Sequence, residues 1–278
     1  MSRGDVAAAT RLVDEAGWNQ IAADWARFLA IEPEGCFVAE IEGGLVGTTV
    51  ACRFPPVAWL AMVLVAEDRR RSGIGRGLVE HAVGWLDDSR IKTIRLDATP
   101  PGRAIYEKLG FSPQFEVARY GGKVQPPPSA GGDTGERVVR ARLDRDLASI
   151  LELDHRVTRT NRAGWLKAIV SEWPDAVRTV LAGDRLEGFV AARRGARATQ
   201  IGPCIARGSA GAALLHDVAL RHVGDEIYID VPEPNGSACA LAEAMGLGAQ
   251  RRFVRMCKGE PVLEDLSRLW SSSGPELG

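Results

Sequence analysis

Apolar positions along the first 120 residues follow two spacings, one typical of helices and the other typical of strands. Apolar residues three or four positions apart predict helices within residues 5–30 and 78–86. A shorter helix is predicted between the turn-rich segment at 97–103 and Gly110. Short apolar runs bounded by turn residues predict strands near 36–41, 45–52, 59–65, 91–96 and 113–120.

The second half of the chain repeats this order of elements. It predicts helices near 144–153, 161–173, 209–222 and 235–245, and strands near 177–182, 187–193, 198–205, 226–231 and 249–257. Gly110 precedes Arg119 by nine positions, as Gly246 precedes Arg255. An aspartate ends the strand before the last short helix in each half, at Asp97 and Asp230. We therefore predict an internal duplication and an α/β fold, with a mixed sheet flanked by helices in each half.

Changes in composition set the predicted domain boundaries. They divide the chain into a first domain over 1–122, a Pro/Gly-rich linker over 123–137, a second domain over 138–260 and a tail over 261–278. Within the tail, the spacing of apolar residues at 262–270 predicts one short amphipathic helix. The polar residues after it, at 271–278, predict a disordered end.

Composition narrows the functional classes. The 278 residues carry a net charge of -1, so no bulk electrostatic attraction to nucleic acid or to a membrane surface is expected. No apolar stretch approaches the roughly 18 residues of a membrane span, and no signal peptide is recognisable. The five cysteines and four histidines are scattered and predict no metal site. We predict a cytoplasmic protein, a monomer or a homodimer, with no nucleic-acid or membrane partner.

One loop carries a clear chemical signal. Between the central strand and the next helix, Arg70–Gly77 contains three glycines and three arginines. Glycine lets the backbone approach a ligand closely, and a helix begins with free N–H groups, so the segment predicts a phosphate site. It lacks the Lys-Ser/Thr of a Walker A loop, and Leu78 stands where a dinucleotide fingerprint requires a third glycine.

Two motifs then resemble one family. Arg70-x-x-Gly73-x-Gly75, set between a strand and an amphipathic helix, resembles motif A of the GNAT acyltransferases, and Tyr106–Phe111 resembles their motif B. The resemblance covers about residues 5–120 and implies acetyl-CoA as the cofactor. It implies cofactor contacts from the central strand, from the loop and from the place of a motif B asparagine: Val63, Leu64, Val65, Arg70, Arg71, Ser72, Gly73, Ile74, Gly75, Arg76, Gly77 and Thr99.

The resemblance also implies the chemistry. In the family a main-chain N–H of the central strand binds the developing oxyanion, and Tyr106 stands where a tyrosine protonates the leaving thiolate. Some members place a glutamate base at the position that Trp59 occupies here, which leaves the base open between Asp97 and Asp24. Two structural alternatives stay open: Tyr106 as a packed aromatic, and Asp97 as the cap of its own turn.

Acceptor contacts are predicted in the region that lies over the acceptor side of the cleft in related proteins. The candidates are Trp18, Asn19, Asp24 and Trp59, whereas Trp25 belongs to an apolar stripe and is expected in the core. Tryptophans near this cleft predict an apolar or aromatic acceptor, or an amine held by cation–π contact.

The second half lacks the motif residues of the first. Its loop, Ala206–Ala212, has no Arg-x-x-Gly-x-Gly arrangement, and Ala242 stands at the position equivalent to Tyr106. Asn235 retains the motif B asparagine, so this half resembles a degenerate C-terminal acetyltransferase-like domain. Two roles stay open: closure of the acceptor cleft, or binding of a small ligand by the charged cluster Asp154, His155, Arg156 and Arg162, which equally suits a solvated face.

The predicted activity is acetyl transfer from acetyl-CoA to a primary amine of a small molecule, by direct attack in a ternary complex. A non-enzymatic acyl-CoA sensor is the alternative from a different class. Transfer of a longer acyl chain, or transfer to a protein lysine, also fits the sequence.

Overall fold

A computed structural model describes residues 1–87, 91–125 and 137–278. The first half contains α1 (Val6–Glu15), α2 (Ala22–Ile31), β1 (Cys36–Ile41), β2 (Gly44–Phe54), β3 (Val57–Val65), α3 (Ile74–Asp87), β4 (Thr93–Ala98), α4 (Pro100–Lys108) and β5 (Ser112–Lys123). This order of elements confirms the one predicted from the hydrophobic pattern. Of the predicted linker at 123–137, residues 126–136 lie outside the described part of the chain.

The second half repeats the order and adds a strand at each end. It contains β6 (Val138–Arg140), α5 (Leu143–Thr158), α6 (Ala163–Glu172), β7 (Arg178–Ala182), β8 (Arg185–Arg193), β9 (Thr199–Ala206), α7 (Ser209–Leu220), β10 (Glu226–Pro232), α8 (Gly236–Ala244), β11 (Gly248–Gly259) and β12 (Leu269–Ser271). The short strands β6 and β12 were not predicted. The mixed α/β class is confirmed.

The two halves share one sheet because they exchange their last long strands. Within the described residues the sheet has 12 strands in the order β1-β2-β3-β4-β11-β5-β10-β9-β8-β7-β6, with β12 beside β9. Strand β11 of the second half pairs with β4 of the first, and β5 of the first half pairs with β10 of the second. The middle of the sheet is the antiparallel pair β5–β11. Neither half therefore completes its own sheet.

Two equivalent ion pairs join the exchanged strands to their new neighbours. Arg119 on β5 donates to both carboxylate oxygens of Asp230 on β10, each at 2.7 Å. Arg255 on β11 donates to both oxygens of Asp97 on β4, at 2.7 and 2.8 Å. All four side chains are buried. The positions that repeat in the sequence are thus the ones that bind one half to the other.

The helices cover both faces of the sheet. One hydrophobic cluster combines α1 and α2 with α5 and α6, and the rings of Phe28 and Trp165 stack across the two halves with their centroids 5.1 Å apart. Apolar residues of α3 pack with β3 and β4, and those of α7 pack with β9 and β10. No helix of the described residues is long and apolar enough to cross a membrane.

Each half contains a pair of parallel strands that separate. Strand β3 pairs with β4 only over Val57–Trp59, and β9 pairs with β10 only from Thr199 to Ile201. Beyond these points a wedge-shaped gap opens between the two strands of each pair. We call them the first gap (β3–β4) and the second gap (β9–β10).

The C-terminal segment lies in the second gap, which corrects two predictions about the tail. Residues 262–270 form no helix, and residues 271–278 are largely buried rather than disordered. Ser271 Oγ donates to the main-chain oxygen of Ile201 at 2.8 Å, and Trp165 Nε1 donates to Ser273 Oγ at 3.0 Å. Composition misled here because polar residues can be buried where partners satisfy them, and those partners are distant in sequence.

Candidate active site

The first gap opens into two adjacent cavities. The inner one has a volume of about 60 Å³ and the outer one about 440 Å³. Four residues line both cavities: Trp18, Val63, Thr99 and Arg251. Because Arg251 belongs to β11, the second half contributes directly to a site on the first.

The outer cavity brings together residues that were predicted to hold the cofactor. Val63, Leu64 and Val65 of β3 line it together with Thr99, the start of α4 and Arg70. Strand β3 has no strand partner on its β4 side beyond Trp59, so main-chain groups on that edge are available to an extended ligand.

The Gly- and Arg-rich loop follows directly. Arg70 Nε donates to the main-chain oxygen of Val65 at 3.2 Å, which anchors the loop to the end of β3. Gly73 has a φ of +90°, and a Cβ added there would meet no atom within 4 Å. Since α3 begins at Ile74, its first N–H groups have no partner inside the helix. The loop is exposed and offers main-chain donors beside positive charge, as a phosphate site requires.

A bulge bends β3 at the mouth of the inner cavity. Thr48 opposes Leu64 and Val50 opposes Ala61, so Met62 and Val63 are both opposite Thr49. Met62 has a φ of +54°, which is unusual for a residue with a side chain, and Thr48 Oγ1 donates to its main-chain oxygen at 2.8 Å. The bulge changes the direction of the main-chain groups where the gap begins.

Tyr106 reaches the inner cavity from α4. Its ring packs edge-on against Phe111, with the centroids 5.8 Å apart. A Cβ added to Gly102 would lie 3.2 Å from the tyrosine ring. Within the described residues the hydroxyl forms no hydrogen bond. Burial raises the pKa of Tyr106 above its ordinary value, so the phenol keeps its proton at neutral pH.

Asp97 lines the same cavity but is paired with Arg255. Burial raises the pKa of the Asp97 carboxyl, and the Arg255 guanidinium opposes that shift. Arg255 also donates to Glu264 at 3.0 Å. Because both oxygens of Asp97 accept from a guanidinium, a proton taken up there would weaken an ion pair. The predicted role of Asp97 as base stays a prediction.

Three of the predicted acceptor residues have protein partners instead. Trp59 is 2% exposed and lies between the guanidinium groups of Arg95 and Arg255, 5.2 and 4.9 Å from its ring centroid. Asn19 Oδ1 accepts from the N–H groups of Arg197 and Ala198, at 2.9 and 3.0 Å. Asp24 also lines neither cavity. It is fully buried and pairs with one arginine from each half, Arg27 and Arg193.

The tryptophan prediction is corrected accordingly. Trp59 packs inside the protein and lines neither cavity, so it does not border the space for an acceptor, whereas the burial of Trp25 confirms that it belongs to the core. Trp18 alone of the three lies at the cavities. Among the inner-cavity residues that sequence reasoning missed, five carry a polar or aromatic side chain: Gln20, Arg119, Arg251, Phe253 and Glu276. No local motif marks them. Arg119, Arg251 and Phe253 lie on the exchanged strands, whereas Glu276 belongs to the buried tail and Gln20 lies between α1 and α2.

The second gap is filled by the chain itself. Leu269 pairs with Ile205 and Ser271 pairs with Cys204, on the part of β9 that corresponds to Val63–Val65 of β3. Ser272 N donates to the main-chain oxygen of Asp230 at 2.8 Å, so the tail bridges β9 and β10. The ring of Trp270 lies against α7, where a Cβ on Gly211 would approach it to 2.1 Å. The edge open in the first half is occupied here.

The charged cluster of the second half is divided. Asp154 and Arg162 form a buried pair at 2.8 Å, and Arg162 also donates to the main-chain oxygen of Leu277 at 2.5 Å. His155 and Arg156 are exposed. The cluster therefore anchors the tail from one side and forms a solvated face on the other. No group of residues suited to hold a metal ion occurs within 1–87, 91–125 and 137–278.

Comparison with known proteins matches both halves to one family. A family model described as the acetyltransferase (GNAT) family matches residues 8–111, and a second family model, described as an acetyltransferase (GNAT) domain, matches residues 150–271. Both matches are to one class of protein, the GNAT acyltransferases. The chain belongs to the GNAT family, as a protein with two GNAT domains in tandem.

Similar proteins match this chain over most of their length. The holothin acyltransferase of Pseudoalteromonas sp. is 24% identical over 264 residues, which cover 94% of this chain and 87% of that protein. A putative acetyltransferase from Pyrococcus horikoshii has a similar structure, with a TM-score of 0.83, 21% identity, and coverage of 100% and 94%. A tandem GNAT protein from the clavulanic acid pathway has a TM-score of 0.62, 18% identity, and coverage of 95% and 98%.

Proposed function

We propose that the first half is an N-acetyltransferase that takes the acetyl group from acetyl-CoA and transfers it to a primary amine of a small molecule. The observation that carries the proposal is the difference between the gaps, since among the described residues the first gap has an open strand edge, an exposed loop and two cavities, whereas the strand edge of the second gap is paired with the tail. In the proposal the loop Arg70–Gly77 holds the pyrophosphate, and the edge of β3 pairs with the extended arm of the cofactor.

The proposed reaction is direct transfer in a ternary complex. The neutral amine attacks the thioester carbonyl carbon, a C–N bond forms, and the C–S bond breaks. Main-chain N–H groups at the bulge of β3 stabilise the negative charge that develops on the carbonyl oxygen. Tyr106 donates its proton to the departing thiolate, and its raised pKa keeps that proton in place until then.

The size of the inner cavity supports a short acyl group. A volume of about 60 Å³ leaves little room for a long chain beside an acceptor. We therefore expect acetyl-CoA to be used in preference to acyl-CoA molecules with longer chains. Competition between acetyl-CoA and octanoyl-CoA in one reaction, with the products separated by mass, measures this preference.

Calorimetric titration with acetyl-CoA tests the proposal. We expect one site in the intact protein, and loss of binding in a variant that combines Gly75→Asp with Arg76→Glu, since both changes place negative charge at the phosphate loop. Arg207→Glu, in the equivalent loop of the second half, is the matched control and should bind normally. Two sites, or binding that survives the loop variant, would contradict the assignment.

Turnover separates the enzyme from a sensor. Release of free CoA thiol in the presence of an amine panel, absent without amine, supports transfer. Tight binding with no thiol release from any amine would favour the sensor.

A further inference from the structure

One arginine of the inner cavity lacks a partner for its charge. Arg251 lines both cavities, and its guanidinium forms no hydrogen bond or ion pair with any residue that the structure describes. Its neighbour across the strand pair, Arg119, is bound to Asp230. Burial, together with Arg119, lowers the pKa of Arg251, so its surroundings disfavour the positive charge. A half-buried guanidinium without an anion is costly, and a carboxylate is the group it binds best.

Two residues that line the same cavity each carry a buried oxygen without a hydrogen-bond donor. Gln20 Oε1 and Glu276 Oε2 are buried without a partner among the described residues, and both side chains belong to residues only 2% exposed. The other oxygen of Glu276 accepts from Arg193 at 2.6 Å and from Gln20. Buried acceptors without donors are unfavourable, and an ammonium or amine supplies several N–H groups at once.

These unmatched groups are complementary to one kind of molecule. We propose that the acceptor is an amine that also carries a carboxylate, as an amino acid does, with Arg251 binding the carboxylate and with Gln20 and Glu276 accepting hydrogen bonds from the amino nitrogen. The inference rests on the proposed function, because it assumes that the inner cavity is where transfer occurs. It replaces the expectation of an apolar or aromatic acceptor, or of an amine held by cation–π contact, because Trp18 is the one of those tryptophans that lines the described cavities.

The chemistry balances without a further reactant. The amino nitrogen forms an amide bond to the acetyl carbon, the thioester C–S bond breaks, and one proton passes overall from the amine to the CoA thiolate. The walls beside the polar groups include Trp18 and Phe253, and the small volume favours a compact acceptor.

Matched acceptor pairs test the inference. Glycine, leucine, phenylalanine and glutamate are each compared with the corresponding α-amide, which keeps the amine and removes the carboxylate. The measurement is the ratio of kcat/KM for acid over amide, by thiol release with acetyl-CoA. We expect at least one pair to favour the acid about tenfold or more, as a charge-assisted contact to Arg251 implies.

Three variants assign the effect to the residue. Arg251→Gln should lower the acid-to-amide ratio about 10- to 100-fold, and Arg251→Lys should restore part of it. Arg252→Gln is the matched control: this neighbour is exposed, pairs with Glu116 and Glu233, and lines neither cavity, so the ratio should not change. Circular dichroism and a melting curve confirm that each variant is folded.

The remaining outcomes overturn the inference. No preference for any acid, or a preference that survives Arg251→Gln, contradicts it. Acetyl-CoA binding with no transfer to any of the amino acids also counts against it. If Arg251→Gln instead changes discrimination between succinyl-CoA and butyryl-CoA, the carboxylate belongs to the acyl group and the proposed acceptor class is wrong. Absence of acetyl-CoA binding in the intact protein refutes the proposed function itself, which is a distinguishable result.

Discussion

The two gaps of this protein begin alike and end differently. In each half a pair of parallel strands separates after three paired residues, but the first gap leads to cavities and the second holds β12. The main-chain edge at Val63–Val65 is open, whereas the edge at Cys204–Ala206 is paired with the tail. A duplicated fold can thus keep its architecture while one copy of its site becomes a binding groove for the chain's own end.

The tail also connects the gaps. After β12 it continues to Pro275 and Glu276, which line the inner cavity of the first gap. Pro275 accepts a long hydrogen bond from Trp59 Nε1 at 3.5 Å, and Glu276 is paired with Arg193 of β8. The segment that closes the second gap therefore completes the wall of the first.

The largest effect is expected at Tyr106, because the equivalent position of the second half is Ala242. Tyr106→Phe removes the proposed proton donor and should lower kcat by about 10²-fold or more, with acetyl-CoA affinity retained. Tyr120→Phe is the control, because that hydroxyl bonds to Glu243 and lines neither cavity. Steady-state rates with calorimetric affinities decide it, and an unchanged kcat would remove the acid role from Tyr106.

The second-largest effect is expected on stability, at the second gap, which the tail fills. Trp270→Ala empties the space beside Gly211 and should lower the free energy of unfolding by about 3–5 kcal/mol. Leu263→Ala, at an 80% exposed position, should change it by less than about 0.5 kcal/mol. Denaturant unfolding measures both. Acetyl-CoA stoichiometry should remain one; appearance of a second site would mean that the tail alone prevents binding in the second half.

A smaller effect on stability is expected when the pH falls, and it arises at Glu264 near the start of the tail. Although burial acts in the opposite direction, Arg95 and Arg255 lower the pKa of Glu264 to about 2. A carboxyl with a lowered folded-state pKa stabilises the fold above its unfolded value, near 4.5, and this stabilisation is lost as the pH falls toward 2. The shift corresponds to about 3 kcal/mol.

The variant Glu264→Gln tests that contribution. It should be less stable than the intact protein at pH 7, and the difference should shrink between pH 4.5 and 2. Glu260→Gln, near the same segment, is the control. A stability difference that does not change with pH would show that Glu264 acts by packing rather than by charge.

Much of the first half could be predicted from sequence. Periodicity located its helices and strands, since each buries one face and so repeats apolar residues at a fixed spacing. The loop Arg70–Gly77 and Tyr106 were found because motifs are local. Gln20, Arg251 and Glu276 could not be found in this way, because nothing near them in the chain indicates which side chains they meet.

The sequence by itself determined the long helices and strands, the duplication, the intact loop of the first half and the absence of that motif from the second, but not the short strands β6 and β12 or the form of the tail. Tertiary structure alone decided that the last strands are exchanged, that the aspartates and arginines of the repeat pair between halves, and that a polar tail is buried. The physical reason is the separation along the chain of the residues that interact. Helical and strand patterns depend on neighbours a few residues apart, whereas Asp97 meets Arg255 and Gln20 meets Glu276 only after the sheet has assembled.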